Sequence, residues 1–192
     1  MSMLKPCPFC GGEAEYYTYE QEHNLYDSNT LGFLETYETT EHCVECNALP
    51  LAQYTVTKCE AEGEPISNLQ LQKIMYFLQS VYCRSTHGKL LFPEEFEAWP
   101  YGPVLPNVYE QFSNYGGRLI HEKFDNPVIL SIGIKTFIDE GIEVLRKKSP
   151  WDLVRTSHAP GSPWDQIWKG GIGFKETIPN NLIVQEAMTG LR

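Results

Sequence analysis

The apolar residues change spacing once along the chain, and the change divides it into two kinds of fold. Before residue 58 they alternate with polar ones, in EAEYYTYE (13–20) and FLETYETTE (33–41), on either side of DSNTLG. A period of two turns one face of an extended strand inward, and two such runs joined by a turn read as a β-hairpin. From residue 66 the spacing is helical. In ISNLQLQKIMYFLQSVYCRSTHG, Leu71, Ile74, Met75, Leu78, Val81 and Tyr82 recur at i, i+3 and i+4. The expected class is therefore α+β: a small β module over residues 1–58, a linker over 59–65 and a mainly helical domain over 66–192. With 192 residues, 42% of them apolar, the chain can bury one good core and a small satellite.

Cysteine spacing says what holds the β module together. Cys7 and Cys10 lie in CPFCGG, and Cys43 and Cys46 follow in CVECNA after thirty-two intervening residues. Each Cys-x2-Cys turn offers two thiolates, and two such turns close a tetrahedral site, so one structural zinc ion on Cys7, Cys10, Cys43 and Cys46 is expected. Gly11 and Asn47 suit the left-handed position that follows the second cysteine of each turn. A redox dithiol fits CPFC alone but leaves the second pair unexplained. His23 and His42 are read as solvated hairpin residues, and Cys59 and Cys83 as buried or incidental thiols. Neither a basic-then-apolar leader nor an apolar run of roughly 20 residues is present, so the chain is expected to be cytoplasmic, with reduced thiols and no membrane partner.

The opening LKPCPFCGG, Leu4 to Gly12, resembles the restriction-alleviation (Lar-like) family of phage and prophage proteins. That resemblance covers about the first fifty residues and implies a four-cysteine zinc ribbon of mobile-element origin.

The helical part is punctuated by caps. Ser67 with Gln70 makes a capping-box sequence, Ile66 and Leu71 occupy the staple positions, and Gly88 is placed to end the helix. Lys73, Gln72, Gln79 and Arg84 are expected on its solvated face. The stretch FEAWPYGPVLPNVYEQF then carries Pro100, Pro103 and Pro106, which push Trp99, Gly102 and Leu105 toward extended backbone. It reads as a stiff loop bracing Trp99 and Tyr101 against the neighbouring helices, with Pro106 opening a helix that Gly116 and Gly117 stop. SIGIKTFIDEGIEVLRKK repeats the helical stripe, and SPWDLV and SPWDQIW each pair a capping serine with a first-turn proline, to pack Trp151, Trp164 and Trp168. IPNNLIVQEAM is expected as a last helix.

Three of these segments in order, LQLQKIMYFLQ, GKLLFPEEFEAWPYGPVLPNVYEQF and LVRTSHAPGSPWDQIW, resemble the Panacea domain of SocA-like antitoxins and phage-associated proteins. The resemblance runs from about Ile66 onward. Its signatures fall on Leu71, Lys73, Tyr76, Glu97, Trp99, Tyr101, Gly102, Pro103, Val104, Tyr109, His158, Pro163 and Trp164. It implies a mostly helical domain that neutralises a toxin by direct contact, or serves as an adaptor for proteolysis; a host defence protein is the other partner expected.

Charge and motif content sort the remaining function classes. Nine acidic residues face Lys5 and Lys58 within 1–58, a net of −7 out of −10 for the whole chain, so nucleic acid is a disfavoured partner. An acidic mimic that alleviates restriction is the alternative reading, and a zinc-ribbon autoregulator a further one. Ser157, His158 and Asp165 invite a nucleophile–base–orienter arrangement, but their closeness in sequence fixes no geometry. His158 reads instead as a buried, hydrogen-bonding histidine, and Lys73 with Glu97 as a structural ion pair. The reading is a non-enzymatic interaction factor.

Overall fold

A computed structural model describes residues 46–125, 128 and 130–189, all within Val44–Arg192, the second of the two units into which the chain divides. The expected hairpin, its histidines and Cys7, Cys10 and Cys43 lie outside the described residues. Residues 48–58, expected to complete the ribbon, instead form most of helix α1, Ala48–Ala61. The helix also takes up the start of the expected linker. Leu51, Ala52, Thr55, Val56 and Cys59 are its buried side, and that helical spacing was present in the sequence but was assigned to the β module. Asn47 is extended, at φ −88° and ψ 153°, and stands before the first turn of α1 rather than in a left-handed position. The first free amide of α1, at Ala48, is satisfied from a distance by the Glu94 carboxylate at 3.1 Å.

Helix α2, Asn68–Ser85, is the axis of the fold, in contact with α1 and with every other long helix described below. Ser67 caps it by accepting from the Gln70 amide. The reciprocal half of the expected capping box is not made: the Gln70 amide group donates to Arg146 O at 2.8 Å and Lys148 O at 3.2 Å, closing the end of another helix. Of the expected polar face, Arg84 alone is exposed. Gln72, Lys73 and Gln79 are buried, while Val81, assigned to the apolar stripe, is 51% exposed. The amides earn their burial by holding chain that has no ladder of its own. Gln79 accepts from the amides of Leu91 and Phe92 and donates to Phe92 O. Gln72 accepts from Leu105 N and donates to Asn68, which in turn donates to Tyr109 O.

The segment between those anchors is a hairpin rather than a loop. Strands β1, Phe96–Trp99, and β2, Gly102–Val104, pair antiparallel with Glu97 opposite Val104 and Trp99 opposite Gly102. Trp99 and Leu105 take the extended backbone expected before proline, but Gly102 departs from it at φ +102°, and short strands form on either side of the tip. Helix α3, Pro106–Gln111, follows at once. Helix α4, Ile132–Arg146, buries Ile138 and Ile142 and lays Ile134, Phe137 and Leu145 on the core, matching its stripe. The two SPW segments form α5, Pro150–Ser157, and α6, Pro163–Trp168, each capped by its serine. A two-residue strand β3, Thr177–Ile178, adds to the other edge of β1, giving the order β2-β1-β3, and α7, Asn180–Thr189, returns to α2. The described residues are thus mainly helical with one small antiparallel sheet.

Ser162 tests the capping rule where it also serves the core, because its buried hydroxyl both accepts from Asp165 N and donates to Ser157 O. Ser162→Ala is expected to lower stability by about 1–2 kcal/mol in urea unfolding.

Candidate functional site

Pro100 and Tyr101 form the tip of the hairpin, and Gly102 follows with φ +102°. A β-carbon at Gly102 would lie 2.8 Å from Lys73 Nζ and 2.7 Å from Ser157 Oγ. Glycine is therefore required twice, by conformation and by space. Lys73 reaches this point from α2 at 0% exposure, and its Nζ donates to Pro103 O at 2.7 Å. Burial pushes its amine down to about 7. The expected ion pair with Glu97 is not formed. The Glu97 carboxylate accepts from Trp99 Nε1 at 2.8 Å, within its own strand.

Helices α5 and α6 close the other side. Trp164 donates from Nε1 to Trp99 O at 2.8 Å, which ties α6 to β1. The His158 ring stacks on Trp164 with centroids 3.6 Å apart, and Trp164 stacks in turn on Trp168 at 5.3 Å. His158 is half-buried rather than buried, and its Nε2 atom is buried without a hydrogen-bond partner. Its pKa is lowered by burial first and by the charge of Lys73 second, against a smaller opposing pull from Asp165. Ser157 donates to Val154 O at 2.8 Å, and the Asp165 carboxylate accepts from Gly161 N at 2.9 Å. Ser157 and Asp165 thus fasten a helix end and a turn. The stacked ring, not a hydrogen bond, positions His158.

Over this cluster lies an aromatic surface. Tyr101 and Trp151 are 59% and 57% exposed and meet edge to face at 5.6 Å. Trp99 packs against Tyr109 of α3 at 4.9 Å and Phe174 at 6.2 Å, with Lys175 Nζ 5.1 Å above the Trp99 ring. The loop expectation holds for Trp99, which braces on α3. Tyr101 differs, leaning on α5 with most of its ring in solvent. Trp151, expected to pack inward, is the other half of that exposed pair. Of the sequence candidates, Lys73, Trp99, Tyr101, Gly102, Pro103, Tyr109, His158 and Trp164 meet here. Tyr76 does not: its ring packs edge-on against Phe96, and its hydroxyl donates to Glu186 of α7. Phe174 and Lys175 escaped the sequence reading, since WKGGIGFK carries no periodicity that marks a surface.

Cys46, the one expected zinc ligand among the described residues, is buried, and its sulfur donates to Leu91 O at 3.7 Å. That contact suits a protonated thiol. A metal-bound thiolate has no proton to give, so Cys46 as a zinc ligand would give up that hydrogen bond. Cys59 and Cys83 are buried as expected, and burial pushes each thiol up to about 11.

A helical axis carrying a buried lysine under a proline-braced hairpin, with two capped tryptophan helices against it, places these signatures in one structural unit. The family model described as antitoxin SocA-like, Panacea domain, matches residues 71–165, and the chain belongs to this family. It is similar to the Antitoxin SocA of Caulobacter vibrioides (strain NA1000 / CB15N), 37% identical over 146 residues that cover 67% of this chain and 77% of that protein. No solved structure matches the chain.

Proposed function

We propose that this protein is an antitoxin that acts by binding a protein toxin, with the surface of Tyr101, Trp151, Trp99, Tyr109 and Phe174 as its contact. The relative's name supports the antitoxin role, and one observation carries the surface: exposed aromatic rings held in fixed positions around a stiff hairpin. Tyrosine and tryptophan dominate binding energy because they bury much area for little lost rotamer freedom. Binding here requires no group transfer, and the proposed activity is non-enzymatic.

The test uses the cognate toxin, identified by growth rescue on co-expression. Tyr101→Ala with Trp151→Ala is expected to weaken toxin binding by at least about 30-fold, the effect of roughly 2 kcal/mol at a hot spot. Both rings are largely exposed, so thermal unfolding should be nearly unchanged. Full neutralisation by the double variant sinks the surface assignment.

The amino-terminal cysteines add a second element to the proposal: a Lar-like zinc ribbon holding one structural ion through Cys7, Cys10, Cys43 and Cys46. Elemental analysis of reduced full-length protein should give about one zinc per chain, falling toward zero in Cys7→Ser with Cys10→Ser. Equal metal content in parent and variant removes the ribbon from the reading.

A further inference from the structure

Lys73 is short of partners in a way that its neighbours on α2 are not. Gln72 and Gln79 both donate and accept through their amide groups. An ammonium carries three N–H donors, and Lys73 meets one acceptor, the neutral carbonyl of Pro103. No carboxylate among the described residues pairs with it. The field of Lys73 reaches His158, whose Nε2 is buried with no partner, and Gly102, itself buried, lies against the Lys73 amine with no side chain. A buried cation without a counter-ion and a buried ring nitrogen without a partner are both costly on their own. Two acceptor oxygens on one anionic group would satisfy both, with His158 as its Nε2–H tautomer.

We infer that this surface receives an acidic side chain of the partner protein, whose carboxylate supplies the counter-ion that Lys73 lacks and an acceptor for His158. The inference rests on the reading of the aromatic face as a protein contact, and two observations extend it to this point. Tyr101, beside Gly102 at the hairpin tip, is largely in solvent and meets Trp151 edge to face. The site is also unpaired in charge: the charged groups whose fields reach it are Lys73 from α2, His158 at the end of α5 and Asp165 of α6, and Asp165 is engaged by Gly161 N. A protein carboxylate is favoured over a free one because the cluster lies beneath rigid exposed rings.

The first arm needs no toxin. The Lys73 amine resonance of the labelled full chain is followed through a pH titration in sodium acetate and in sodium chloride, both at an ionic strength of about 0.2 M. Acetate is expected to raise the Lys73 midpoint by at least about 0.5 pH unit over chloride and to move the His158 ring nitrogens. In Lys73→Met the His158 response should disappear. Equal midpoints in the two salts, as a bridging water alone would give, overturn the inference.

The second arm uses the toxin itself. Lys73→Met, shown folded by thermal unfolding, is expected to bind at least about tenfold more weakly, and unchanged affinity overturns the assignment to a partner's carboxylate. The two readings fail separately. Loss of the acetate response removes the carboxylate site even where Tyr101→Ala abolishes neutralisation. An acetate response alongside intact neutralisation by the aromatic double variant removes the protein-contact reading and leaves the carboxylate site standing.

Discussion

Gly102→Ala is expected to lower stability by about 3–5 kcal/mol, the sum of a disfavoured backbone conformation and a displaced buried hydrogen bond. The backbone there has φ +102°, where a side chain is strained whatever the space around it. The new methyl would also sit 2.8 Å from Lys73 Nζ and 2.7 Å from Ser157 Oγ, closer than unbonded carbon approaches either atom. Lysine ends usually move aside cheaply, but this one is fully buried, and retreat would take it off Pro103 O. A melting temperature lower by about 10 °C is the corresponding shift for a chain of this size. Gly161→Ala is the control, since Gly161 also has positive φ, +77°, with nothing within 4 Å of a β-carbon. It should lose only the backbone part, about 1 kcal/mol. Equal losses at the two positions would show that the Lys73 contact contributes nothing.

Stability should rise between pH 7 and 9, and Lys73→Met should remove the rise. In the folded chain the Lys73 amine is pushed down to about 7, from an ordinary value of 10.5. Above pH 7 the unfolded chain therefore holds a proton at this position that the folded chain has released, and stability increases with pH. Below pH 7 both states are protonated, and the cost of the buried charge is present in full. Over two pH units the gain is about 2 kcal/mol, from a limit near 1.4 kcal/mol per unit. Beyond pH 9 the trend turns. Cys59 and Cys83, raised to about 11 from 9.0, keep their protons in the folded chain after the unfolded chain has lost them. Lys73→Met should fall within about 1 kcal/mol of the parent at pH 7, because the stem volume is kept while a buried charge is removed. Lys73→Ala opens a cavity and should cost about 2–4 kcal/mol, not the negligible change that a solvated position would give. Denaturant midpoints at pH 7, 8 and 9 decide it, and a flat parent profile rules out the low amine value.

What the sequence made legible was whatever its neighbours in sequence determine. Serine caps and first-turn prolines placed α5 and α6, the apolar stripe placed α4, and Ser67 placed the start of α2. Burial of the polar residues on α2 was not legible. Gln79 is buried because Leu91 and Phe92 need its amide, and Lys73 because Pro103 and Gly102 fold across it, partners twelve to thirty residues away. A polar residue facing a distant backbone group looks in sequence like one facing water. The strands escaped for the opposite reason: at two to four residues, with prolines among them, they are too short to show a period. The candidate site was legible as a set of residues. What brought them to one place was the hairpin and the Trp164 bond to Trp99 O.

Because α1 begins two residues after Cys46 and its Leu51, Ala52, Val56 and Cys59 are fully enclosed, the place to cut this protein is not where its sequence pattern changes. A fragment begun at residue 59 or 66 would discard that helix and bare the side of α2 against which it rests. Apolar surface of that extent promotes association between copies. A fragment begun at residue 44 keeps the enclosing helix, along with the Glu94 carboxylate that meets its first amide. Limited proteolysis of the whole protein should accordingly spare the bonds from Ala48 to Ala61, including those at 59–61 where the sequence pattern begins its linker.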